Sequence, residues 1–109
     1  MRRVILESPY AGEIDVNVEY ARACVRDSIL RGEAPLASHL LYTQPGILRD
    51  DVPDERASGI SAGHVWMPFA EAVVVYTDRG ISSGMLSGMN AAYRYGVPVE
   101  TRLLGGPWS

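Results

Sequence analysis

A chain of 109 residues, 47% hydrophobic and 21% charged, has room for one domain with one core, and its composition is that of a folded protein. Thirteen acidic against ten basic residues give a net charge of −3, and the basic residues stand singly except for Arg2-Arg3, so nucleic acid, which rewards clustered positive charge, is not an expected partner. The longest unbroken apolar run, Ala72 to Tyr76, is far short of the ~20 residues of a membrane helix, which excludes a spanning segment.

The N-terminus MRRVILE meets Glu7 after only three apolar residues, too few for a signal-peptide core, and the expected location is the cytoplasm. Val4-Ile5-Leu6 reads as a first strand released by Ser8-Pro9 and Gly12. From Asn17 to Arg31 the apolar positions Val18, Ala21, Val25 and Ile29 recur at three and four, which predicts an amphipathic helix closed by Gly32. Cys24 on that helix reads as buried and inert; as a lone cysteine it excludes an intrachain disulfide. Pro35 to about Ser38 predicts a second strand, with a helical turn open as an alternative for His39-Leu40-Leu41. Residues 43–53, TQPGILRDDVP, read as a long exposed loop. A helix from Asp54 follows, with Ala57, Ile60, Ser61, His64 and Val65 as its apolar face and Pro68 as its stop. Ala72 to Tyr76 is apolar on both faces and predicts the central strand of a parallel sheet. Gly80, Ser82, Ser83 and Gly84 then lead into a helix with a Met85, Leu86 and Met89 stripe, ended by Gly96; Val97 to Leu103 reads as an edge strand, and Trp108 can pin the tail.

This order predicts an α/β domain, Rossmann-like and three-layered, spanning 1–109, with a parallel sheet of about four strands in the order 2-1-3-4. In such a sheet ligands bind beyond the strand C-termini where the strand order reverses, here between the first and third strands. Two loops meet there. Glu7-Ser8-Pro9-Tyr10-Ala11-Gly12 offers a carboxylate, a hydroxyl, a phenol and a small-residue turn. Asp78 to Gly84 runs into a helix N-terminus, where Gly80, Ser82, Ser83, Gly84 and Met85 present free N–H groups and hydroxyls to an anion, although a serine N-cap explains the same residues. His39 falls at the same edge of the sheet and can reach a ligand. His39 and His64 lack the carboxylate or thiolate company of a metal site, and no metal or organic cofactor is expected.

The segments VILESPYAG, Asn17 with Tyr20-Ala21, PLASHLLYTQ, VVVYTDRGISSGM and AAYRYGVPVE together resemble the nucleoside 2-deoxyribosyltransferase-like family, small proteins common in bacteria and phages. The resemblance covers nearly the whole chain. It implies a Rossmann-like sheet and a glutamate that attacks the anomeric carbon of a nucleoside. It places that glutamate near Ser87 or Gly88, on a helix that contains no carboxylate from Met85 to Ala92. Asp78 and Glu7 are then the candidate catalytic carboxylates.

The expected function is binding of a nucleoside, nucleotide or nucleotide-derived small molecule, with Ser82–Met85 holding phosphate or ribose, Ser8–Gly12 enclosing the base or sugar, and His39 nearby. The alternative is cleavage or transfer of an N-glycosidic bond by Asp78 or Glu7. A domain this small makes a shallow cleft, so association into a homo-oligomer is expected, as the resemblance also implies.

Overall fold

Alternation along the strands builds two cores. In the computed structural model, which describes residues 1–108, β1 (Arg2–Glu7), β2 (Glu33–Leu36), β3 (Ala72–Tyr76) and β4 (Val99–Arg102) form one parallel sheet in the order β2-β1-β3-β4. The register pairs Ile5 with Val73 and Glu7 with Val75, so β1 and β3 end nearly level. Successive residues of a strand point to opposite faces. Val4, Leu6, Ala72, Val74 and Tyr76 therefore meet Tyr20 and Cys24 on one side. Ile5, Val73 and Val75 meet Met67, Met85, Ala91, Ala92 and Val97 on the other. All five residues of β3 are buried, as its unbroken apolar run predicts for a strand covered on both faces.

The first face is covered by α1 (Ile14–Leu30), three residues longer at its start than the periodicity suggested. Its buried stripe is Asn17, Tyr20, Ala21, Cys24 and Ser28, whereas Ile29 is exposed. The apolar pattern thus pointed to a face rotated from the true one. Polar Asn17 and Ser28 occupy the inner stripe because each has hydrogen-bond partners there: Asn17 donates to the carbonyls of Tyr10 and Ala11, and Ser28 to Glu33. Gly32, at φ +88°, turns the chain out of α1 in the left-handed region.

Next in the chain, α2 (Ser38–Leu41) sets Leu40 against the first core and packs on α3, and the second face carries α3 (Pro53–Val65), a 3₁₀ turn at Met67–Phe69 and α4 (Ser83–Tyr95). The second strand ends at Leu36 rather than near Ser38, and His39-Leu40-Leu41 form the helical turn that the sequence left open, as part of α2. The apolar face expected for α3 is also corrected. Ala57, Ser61 and Val65 are exposed, and α3 instead approaches its neighbours through Gly59 and Gly63. A Cβ at Gly63 would lie 2.6 Å from Ser38 Oγ, and one at Gly59 would lie 3.2 Å from Leu48 Cδ1, so small residues one turn apart set how close α2 and the 43–53 loop can come. On α4, Met85 is buried but Leu86 is exposed, so the expected methionine and leucine stripe is only partly a core surface. The last strand is Val99–Arg102, shorter than the expected 97–103.

Trp108 packs edge-on against Tyr20 at 5.1 Å between ring centroids, which fixes the tail over α1. No helix of the described residues is long and apolar enough to cross a membrane.

Candidate functional site

A cleft of about 100 Å³, open at its mouth, lies at the C-terminal edge of the sheet on the α3–α4 side. Ile5, Glu7 and Ser8 form its floor, Tyr10 and Ala11 one wall, and Ser38, His39, Tyr42 and Thr43 another. From α3 come Glu55, Arg56, Gly59, Ile60, Gly63 and His64, and the N-terminus of α4 contributes Ser82, Ser83, Gly84 and Met85. Strand alternation carries Glu7 there: it continues Ile5 toward α4.

Alternation also decides the other candidate carboxylate. Asp78 follows Ala72, Val74 and Tyr76 in the two-residue period and turns to the α1 side, so it does not line the cavity. Its carboxylate accepts hydrogen bonds from Tyr20 Oη at 2.6 Å, from the Leu104 N–H at 2.9 Å and from the Gly105 N–H at 3.2 Å. Burial raises its pKa, but these donors outweigh burial and hold it below the usual carboxylate range. The catalytic expectation for Asp78 is therefore replaced by a structural one: it clamps the C-terminal segment. Pro9, Gly12 and Gly80 also fall outside the lining; Gly12 and Gly80, at φ +98° and +84°, shape the two loops.

Glu7 is different in every respect. Among the described residues nothing hydrogen-bonds its carboxyl group, which opens to the cavity. Enclosure by the protein disfavours the charged form and pushes its pKa up to about 8, so at neutral pH it is mainly a carboxylic acid, able to donate as well as accept. Its carboxyl rests against Gly88 of α4: a Cβ built there would meet Glu7 Cδ at 2.6 Å. The nearest acid to the helix position where the resemblance places a glutamate thus comes from β1.

His39 is neutral for the mirror-image reason, since burial holds its imidazole down at about 4. Its Nε2 shares a hydrogen bond with Ser8 Oγ at 2.6 Å, the tautomer deciding which of them donates.

At the N-terminus of α4 the Ser82 hydroxyl caps the helix by accepting from the Met85 N–H at 3.3 Å, and the Ser82 N–H donates to Met85 Sδ at 3.3 Å. The capping reading of the sequence is thus correct, and the same residues still line the cavity. The guanidinium of Arg56 reaches this turn, with Nη2 3.8 Å from where a Cβ at Gly84 would be, while its Nη1 pairs with Asp50 at 3.0 Å.

Asn17 ties the two loops together. Its Nδ2 holds the carbonyls of Tyr10 at 3.0 Å and Ala11 at 3.1 Å, and its Oδ1 accepts from Arg79 Nε at 2.9 Å. Arg56, Asp50, Tyr42 and Leu48 were not foreseen as site residues. The signal available in the sequence was the Gly59 and Gly63 spacing, which marks the side of α3 that lies closest to its neighbours.

The family model described as Domain of unknown function (DUF7768) matches residues 2–102, and the chain belongs to that family. No curated protein and no solved structure matches the chain.

Proposed function

Starting from membership of a family whose function is open, we propose that the cavity binds a nucleoside, nucleotide or nucleotide-derived small molecule. The observation that carries this reading is the convergence in one cleft of the α4 N-terminus, the Arg56 guanidinium and the free acid of Glu7. The N–H groups of Ser83 and Gly84, which have no partner among the described residues, and the Nη2 end of the Arg56 guanidinium, whose Nη1 pairs with Asp50, suit a phosphate or a ribose hydroxyl. Apolar Ile5, Leu48, Ile60 and Met67, with Tyr10, suit a base or the face of a sugar. A neutral acid and a neutral imidazole can each donate to and accept from a heterocycle without burying an unpaired charge.

The state of Glu7 favours a second reading: cleavage or transfer of an N-glycosidic bond, as the resemblance to the deoxyribosyltransferase-like family implies. An enclosed carboxyl poised near neutrality can protonate a departing base or, once ionised, attack the anomeric carbon or activate water. Exposed Val65, Trp66 and Phe69 beside a shallow apolar groove lined by Ala34 and Leu36 support association into a homo-oligomer.

Native mass spectrometry with a pool of nucleosides, nucleotides, cyclic nucleotides and ADP-ribose-type compounds tests all three statements. Stoichiometric adducts are expected on a multimer. If nothing in the pool binds, the binding reading is lost; if only monomer is seen at micromolar concentration, so is the homo-oligomer. The glycosidic reading requires free base to appear catalytically, and Glu7→Gln to abolish it while adducts persist.

A further inference from the structure

We propose that Gly88 is the seat of the Glu7 carboxyl group, and that positions 7 and 88 act as one unit which can deliver the cavity's acid either from β1, as here, or from α4. The inference rests on the reading of this cavity as the functional site.

Gly88 is a buried residue in the interior of a 13-residue helix. Glycine there costs about 1 kcal/mol relative to alanine. It is not among the glycines with positive φ, so the backbone does not require it. Space does. A Cβ at 88 would come into collision with Glu7 Oε2, lie 2.6 Å from Cδ and lie 3.0 Å from Oε1, so every other residue displaces the carboxyl. The displaced group is the end of a flexible side chain, not backbone, so a substitution at 88 moves the acid and spares the fold. Met85, Ala91 and Ala92, buried on the same side of α4, keep the helix seated against the sheet.

The same geometry runs in reverse. The Cβ of a residue at 88 falls where the Glu7 carboxyl is now, and the carboxyl carbon of an aspartate lies one bond beyond its Cβ. With position 7 shortened, aspartate at 88 therefore puts an acid at nearly the same point of the same enclosed space. Gly88 is a positioning residue that acts through the volume it leaves empty.

The test uses the full chain with carboxyl-¹³C glutamate and aspartate, comparing wild type with Gly88→Ala, Glu7→Ala and the double variant Glu7→Ala/Gly88→Asp. Carboxyl titration is read by NMR, ligand adducts by native mass spectrometry, and folding by thermal melting. In wild type one glutamate is expected to titrate near 8. Gly88→Ala should lower that midpoint by about one pH unit or more, because the acid is pushed toward solvent. The double variant should show an aspartate titrating well above the usual range and recover the adducts that Glu7→Ala weakens. An unchanged midpoint in Gly88→Ala overturns the proposal, as does an ordinary titration of the introduced aspartate in a folded double variant. Should the double variant not fold, Gly88→Ala decides alone. If wild type binds nothing in the nucleotide pool, the functional reading fails while the titrations still decide the seat.

Discussion

Glu7 and His39 line one cavity and are brought to the same electrical state from opposite directions, the acid raised to about 8 and the base lowered to about 4, in both cases by loss of solvent. Linkage converts this into stability. Folded Glu7 keeps a proton that the unfolded chain gives up between 4.5 and 8, so its contribution is fully present below 4.5 and is lost as pH rises toward 8. Folded His39 refuses a proton that the unfolded chain binds between 6.5 and 4, so its contribution is lost as pH falls through that window. The two slopes oppose each other from 4.5 to 6.5, and above 6.5 only that of Glu7 remains. Urea unfolding from pH 6.5 to 8 should show stability falling by up to about 1.4 kcal/mol per pH unit in wild type and not in Glu7→Gln. Equal slopes in the two proteins would show that the carboxyl is not enclosed.

At the scale of elements, α4 is both a structural support and a wall of the cavity, and its first turn serves both purposes. The Ser82 hydroxyl satisfies the Met85 N–H. Ser82→Ala should lower stability by about 1 kcal/mol, the usual worth of an N-cap, and should weaken phosphate-bearing ligands more than their nucleoside counterparts, since the fraying turn is the one facing the anion. Equal weakening of both ligand classes would place the phosphate elsewhere. Closing the left-handed end, Gly96 at φ +68° stops α4 and returns the chain to β4 through the Val97 N–H to Ala92 carbonyl bond at 2.9 Å.

For the whole molecule the strongest polar tie is remote from the cavity. Glu33, at the start of β2 and 5% exposed, accepts from Arg102 at 2.6 Å, Arg2 at 2.7 Å and Ser28 at 2.8 Å, which links β2 to β1, β4 and α1. The Arg102 guanidinium, outweighing burial and aided by Arg2 and Ser28, holds the Glu33 carboxyl at about 2. Its stabilising effect is complete above 4.5 and is lost as pH falls through 2. Glu33→Gln leaves Arg2 and Arg102 with the more exposed Glu100 as their carboxylate partner among the described residues and should cost about 3 kcal/mol at pH 7, with a flatter approach to acid unfolding. Thermal melts from pH 2 to 7 measure both, and a variant as stable as wild type would mean the network is neutral in effect.

Much was determined locally and could be read from the sequence. The apolar run Ala72–Tyr76, the glycines at 32 and 96 and the serine at 82 each act through their own backbone or nearest turn, and from them follow the element order, the parallel sheet and its order β2-β1-β3-β4. The edge at which the cavity opens follows from that order alone. Tertiary structure decided the rest because it depended on which polar groups could find partners inside. Asn17 and Ser28 turned α1 to a face its apolar residues did not mark, and Gly59 and Gly63 brought α3 in without an apolar stripe. Asp78 found Tyr20 and the tail, whereas Glu7 found only the space above Gly88. Two carboxylates that look alike in the sequence, both at the ends of strands, were separated by the face each strand gave them: one is hydrogen-bonded to Tyr20 and the tail, the other is enclosed in the cavity with no hydrogen-bond partner among the described residues.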